Sequence, residues 1–101
     1  MMVELSVVPV SQDGSVAKYI AEAVRVVDES GLDYRVTPMG TVIRGEWDEV
    51  MAVVKAAHEK VRSMTDRVIT KIYIDESKGD DPQFDEKVAS VEKALGKDIK
   101  K

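Results

Sequence analysis

Apolar and polar residues alternate from Val3 to Val10. Val3, Leu5 and Val7 fall on one side and Glu4, Ser6 and Val8 on the other, the period of a half-buried strand that Pro9 closes. Ser11-Gln12-Asp13-Gly14 is a turn cluster and Ser15 a helix N-cap. Val16, Ile20, Ala23, Val24 and Val27 then recur as the apolar stripe of a helix, which Gly31 stops. Tyr34 and Val36 alternate with Arg35 and Thr37, and Val42 to Arg44 runs back, which predicts a tight hairpin with Met39-Gly40 at its tip. Trp47, Val50, Met51, Val54, Ala57, His58 and Val61 keep helical period, with Asp48 and Glu49 placed to complement the dipole of the first turn. Val68 to Ile74, rich in β-branched residues, reads as a last central strand. After a charged loop from Glu76 to Asp81, a third helix is expected to start at Asp81-Pro82, with Phe84, Val88, Val91 and Leu95 as its stripe. Gly96 ends it, and the Lys97–Lys101 tail frays.

Strand, helix, hairpin, helix, strand is the split β-α-β pattern. The predicted fold is therefore α+β, ferredoxin-like βαββαβ: a four-stranded antiparallel sheet with two helices on one face, plus a C-terminal third helix. The 101 residues suit one domain over the whole chain, 1–101. The period of two sends Val3, Leu5, Val7, Tyr34, Val36, Ile43, Val68, Ile72 and Ile74 toward the helices. It sends Glu4, Ser6, Val8, Arg35, Thr37, Val42, Arg44, Ile69, Lys71 and Tyr73 to the open face. Val8, Val42, Ile69 and Tyr73 on that face are either scattered surface hydrophobics or a contact surface, and packing against a second subunit would cover them.

Composition narrows the function classes. The net charge of −4 argues against a general nucleic-acid binder, and the open face offers only Tyr73 where an RNA-binding sheet would show several aromatics. With no cysteine, disulfides, thiolate metal sites and a cysteine nucleophile are excluded. No apolar stretch is long enough to span a bilayer and the start has no secretory pattern, so the expected location is cytoplasmic, without a membrane partner.

Little in the chain calls for catalysis. His58 is the single histidine and lies at the edge of an apolar stripe, as a packed structural histidine would; no metal site and no cofactor are expected. The glycines are too widely spaced to cradle a phosphate. On the expected two-residue hairpin Arg35 and Arg44 stand directly opposite each other, and like charges so placed call for an offset. That offset is Glu4, a neighbouring subunit's carboxylate, a bound anion or simply water.

The first strand Glu4-Leu5-Ser6-Val7-Val8-Pro9, the hairpin segment Tyr34-Arg35-Val36-Thr37-Pro38-Met39-Gly40-Thr41 and the helix segment Trp47-Asp48-Glu49-Val50-Met51, ending near Ala57-His58-Glu59, together resemble the small thiamin-binding-like family. Asp66-Arg67-Val68 and Lys71-Ile72-Tyr73-Ile74-Asp75 resemble its last strand. That family includes the YkoF-type proteins that bind thiamin or hydroxymethylpyrimidine and many uncharacterised members. The resemblance covers nearly the whole chain. It implies a ferredoxin-like fold, assembly into dimers or tetramers through the sheets, and binding of thiamin or its pyrimidine moiety without catalysis. Matching positions are Ser6, Pro9, Met39, Gly40, Thr41 and Arg67. Ser6 and Thr37 can offer hydroxyls to an aminopyrimidine, Met39 a polarizable contact and Glu4 a partner for a cationic thiazolium. Two positions depart from the family pattern: Arg44 stands where an acidic residue is expected, and Ser77 where a basic one is. Arg44 would reverse the local charge, excluding thiamin or favouring a phosphorylated form.

The sequence thus leads to a non-enzymatic, homo-oligomeric binding protein for thiamin or a related pyrimidine. The expected site is Glu4, Ser6, Arg35, Thr37, Met39, Thr41 and Arg44. The alternative is a regulatory module that binds other proteins or an anionic metabolite through its sheet.

Overall fold

A computed structural model describes residues 1–10, 16–79 and 81–101. The turn cluster at 11–14 and the Ser15 cap lie outside the described residues. The elements follow the order β1 (Met2–Pro9), α1 (Ala17–Glu29), β2 (Asp33–Thr37), β3 (Gly40–Arg44), α2 (Trp47–Arg62), β4 (Val68–Asp75) and α3 (Glu86–Leu95). The four strands form one antiparallel sheet in the order β2-β3-β1-β4. This is the expected ferredoxin-like arrangement with a C-terminal helix added.

One face of the sheet builds the core. Val3, Leu5 and Val7 of β1 and Ile43 of β3 meet Tyr19, Ala23 and Val27 of α1 and Val50, Val54, Ala57 and Val61 of α2, all buried. The α2 stripe is the expected one except at its start, where Trp47 is exposed. The α1 stripe is turned: Tyr19, Ala23 and Val27 enter the core, while Ile20 is exposed and Val24 half-buried at the rim. An aromatic ring three and four residues from other apolar positions competes well for the buried side, because it removes the largest apolar area from water. Gly31, at φ +79°, sits one residue beyond the Ser30 cap and supplies the left-handed stop.

Three expectations are corrected. First, the hairpin turns on Pro38-Met39, and Thr37 pairs with Gly40. Arg35 therefore faces Val42, and Arg44 faces Asp33, so the two arginines do not oppose each other. Placing the turn one residue late shifts the register by two, which preserves every face assignment while changing every partner. Second, β4 is an edge strand. Apolar residues on both of its faces give it the look of a central strand. Third, α3 begins at Glu86, because Phe84 and Asp85 are drawn back onto the sheet by Arg35 and Arg44.

Candidate ligand-binding site

The open face is organised in rows across the strands. Asp33, Arg44, Met2 and Asp75 form one row, and Arg35, Val42, Glu4 and Tyr73 the next. Ser6 pairs with Lys71, and Val8 with Ile69, toward the far end.

The two arginines are committed elsewhere. Arg44 is only 8% exposed. Its Nε donates to the Pro82 carbonyl at 2.7 Å, and its two terminal nitrogens donate to Asp33 and Asp81, each at 2.9 Å. Arg35 makes a bidentate pair with Asp85, one bond at 2.9 Å. The Phe84 ring lies against both guanidiniums, 5.1 Å from that of Arg35 and 5.7 Å from that of Arg44. The hydrogen bond from Arg35, followed by its charge, holds the Asp85 carboxyl below its ordinary value, against the opposing effect of desolvation. Residues 81–85 thus form a strap over β2 and β3. It buries Arg44 and pairs the still exposed Arg35, and it supplies the offset that two nearby cations require.

Two concavities flank the hairpin tip. A cleft of about 170 Å³ lies between β1, the hairpin and α1, lined by Ser6, Ile20, Val24, Thr37, Met39 and Thr41 among others. It exists because β3 begins at Gly40, so its pairing to β1 stops at Leu5 and the later part of β1 has no neighbour on that side. Gly40 makes the approach possible: a Cβ there would lie 2.9 Å from the Leu5 carbonyl oxygen. Within this cleft Thr37 donates to the Gly40 carbonyl at 2.9 Å and accepts from the Met39 amide at 3.1 Å, so its hydroxyl holds the turn. Thr41 is buried.

The second concavity is a shallow depression of about 470 Å³ on the open face, lined by Glu4, Ser6, Met39, Lys71 and Tyr73. Its size falls in the range of small-molecule sites, roughly 300–1,000 Å³, whereas the cleft falls below it. Among the described residues, neither the Glu4 carboxylate nor the Ser6 hydroxyl has a hydrogen-bond partner or an ion pair. Tyr73 stands directly opposite Glu4 and is 66% exposed. A free carboxylate beside an exposed aromatic ring is an arrangement that receives an organic cation. Met39 and Ser6 line both concavities, so the hairpin tip is their common wall.

Sequence reasoning named Glu4, Ser6 and Met39 in this depression. It placed Lys71 and Tyr73 on the right face without assigning them to the site; their pairing with Ser6 and Glu4 across β1 and β4 is the signal that joins them. Of the family-matched positions, Arg67 lies just before β4 with its side chain exposed, and its carbonyl accepts from the Val10 amide at 2.9 Å. His58 contacts the Thr70 hydroxyl at 2.6 Å on the helix side, away from both concavities. Among the described residues no group of acidic or histidine side chains could hold a metal ion, and no helix is long and apolar enough to cross a membrane.

The fold is a ferredoxin-like sheet with an uncovered polar depression on its open face. The chain belongs to the thiamine-binding protein family, whose profile matches residues 3–92. It is similar to the UPF0045 protein sll0230 of Synechocystis, 43% identical over 93 residues, or 91% of this chain and 77% of that protein. The UPF0045 protein MJ1052 of Methanocaldococcus jannaschii is 32% identical over 91 residues, 90% of this chain and 91% of that protein. The crystal structure of MJ1052 superposes with a TM-score of 0.82 over 89% of this chain and 93% of that one. The crystal structure of TM0486 from Thermotoga maritima, a protein provisionally assigned to thiamine biosynthesis or salvage, gives a TM-score of 0.79. It is 29% identical and covers 89% of this chain and 96% of that one.

Proposed function

We propose that the protein is a non-enzymatic, homo-oligomeric binding protein for thiamin or its hydroxymethylpyrimidine moiety, and that the open-face depression is where the ligand sits. The observation that carries this reading is the Glu4 carboxylate, unpaired among the described residues, facing the exposed Tyr73 ring across the sheet. A thiazolium or a protonated aminopyrimidine gains from both: Coulomb attraction and hydrogen bonding at the carboxylate, cation–π attraction at the ring. Ser6 supplies a hydroxyl within the same wall, and Met39 a polarizable contact from the hairpin tip. Family membership, and the provisional assignment of TM0486, support the same ligand class.

The departure at Arg44 does not count against thiamin. Its charge is met by Asp33 and Asp81 and its side chain is buried under the strap, so it does not face the depression. Arg35, which stays exposed, is paired with Asp85 of the strap. An unphosphorylated ligand is the one that the Glu4–Tyr73 pair suits. Binding without turnover fits a depression whose lining brings together one carboxylate, two hydroxyls and one ammonium, with no second carboxylate or histidine in it among the described residues.

Isothermal titration calorimetry with thiamin, thiamin phosphate and hydroxymethylpyrimidine tests this. Micromolar binding of thiamin or the pyrimidine, with no gain from the phosphate, is the expected result. Silence from all three would sink the ligand assignment.

A further inference from the structure

Arg35, Val42, Glu4 and Tyr73 form one row across the open face, one residue from each strand. Arg35 and Glu4 are two strands apart on that row, about 10 Å between backbones at the usual sheet spacing. The residue between them, Val42, is short and half-buried, and an arginine and a glutamate side chain extended over it together span the gap. Glu4 has no partner among the described residues. Lys71 lines the same depression without pairing with it, which leaves Arg35 as the cation of Glu4's own row. Left to the sheet alone, the Arg35 guanidinium and the Glu4 carboxylate attract each other across Val42.

Arg35 is instead drawn to the strap. Asp85 takes its guanidinium in a bidentate pair, and the Phe84 ring lies 5.1 Å from it. Both members of the pair are more than half exposed, and an exposed pair adds little to stability. Its larger effect is on position: the one cation that could neutralise the depression's carboxylate along the row is held away from it. Arg44 does not share this freedom. It is buried, with bonds to Asp33, Asp81 and the Pro82 carbonyl, and it anchors the strap whatever Arg35 does.

We propose that Asp85 is a positioning residue for the ligand site: by holding Arg35 in the strap, it keeps Glu4 free for an organic cation. The proposal rests on the reading of the depression as a thiamin site and deepens it. Released from Asp85, Arg35 lies across Val42, closes an ion pair with Glu4 and competes with a thiazolium or a protonated aminopyrimidine for that carboxylate. The strap thus sets the charge that the open face accepts without touching the ligand.

The test compares the wild type, Asp85→Ala, Arg35→Gln and the double variant. Glu86→Ala serves as a control that removes the neighbouring exposed carboxylate at the start of α3. Each protein is examined by proton NMR without ligand and by thiamin calorimetry at low ionic strength. In Asp85→Ala the contacts of the Arg35 Nε proton move from the Phe84 ring to the Val42 methyls. Thiamin binding weakens about three- to fivefold, the equivalent of an exposed ion pair, and added salt abolishes the difference. Arg35→Gln and the double variant have no cation to release and bind thiamin at least as tightly as the wild type, to within about 1.5-fold. Glu86→Ala, with the same change in net charge as Asp85→Ala, stays within the same margin. Arg35 contacts unchanged in Asp85→Ala, a double variant as weak as Asp85→Ala, or an equal loss in Glu86→Ala would each overturn the proposal. Contacts that move as expected in a protein that ignores thiamin would keep the positioning role of Asp85 and discard only the ligand reading.

Discussion

Arg44 and Asp33 face each other directly across the β2–β3 hairpin and are joined by a 2.9 Å hydrogen bond. From that pair the guanidinium also reaches Asp81 and the Pro82 carbonyl, tying the edge hairpin to a segment 37 and 38 residues further along the chain. The strap is therefore anchored on a buried cation, and the open-face depression lies beyond its border on β1 and β4.

Replacing Arg44 by methionine keeps side-chain volume and removes all three bonds. Asp33 and Asp81 are themselves well exposed and regain water, so the loss is smaller than for a fully buried pair. The expected destabilisation is about 2 kcal/mol, as for hydrogen bonds to a charged group. Urea denaturation followed by circular dichroism measures it. Lysine at this position, with a point charge in place of a planar fork, should recover only part.

The strap shows where sequence reasoning reached and where it stopped. A strand's period of two placed residues such as Leu5 and Ile72, or Glu4 and Tyr73, together on one face, because face depends only on parity. Partnership depends on where the turn falls, and Pro38-Met39-Gly40 allowed more than one placement. Phe84 sits at helical spacing from Val88 and Val91, so local pattern assigned it to α3. Its contact with two arginines forty residues and more upstream has no local signature. Two arginines on one polar face, and an Asp-Pro-Gln-Phe-Asp segment with no evident partner, were the only traces. For the proposed site, Glu4, Ser6 and Met39 were named through the family resemblance, with strand and turn positions placing them. Lys71 and Tyr73 entered only with the β1–β4 register.

The strap has a defined pH response. Asp85 titrates below its ordinary value near 3.8 because Arg35 hydrogen-bonds its ionised form. A folded value lower than the unfolded one contributes stability that is complete above the unfolded value and is lost as the pH falls through the folded value. The strap therefore stays docked at pH 5 and loosens only under stronger acid. Carboxyl carbon shifts of Asp85 should show a midpoint below 3.8 in the wild type, returning to the ordinary range in Arg35→Gln. Equal midpoints would contradict the pairing.

Gly40 separates the hairpin tip from β1 by the narrowest gap in the site. Alanine there meets a backbone oxygen, which cannot swing aside, at 2.9 Å. The hairpin must move, at a cost of about 1–3 kcal/mol. Faster hydrogen exchange at Leu5 and Thr41, which pair across this gap, should accompany the loss.

Glu4 tests the central claim most directly. Thiamin is titrated calorimetrically into the wild type and into Glu4→Gln, a change that keeps shape and removes the charge; unchanged circular dichroism verifies the fold. A charge-assisted contact of about 1.5–3 kcal/mol predicts affinity weakened roughly 10- to 100-fold. Thiamin binding as tight in Glu4→Gln as in the wild type would contradict the account.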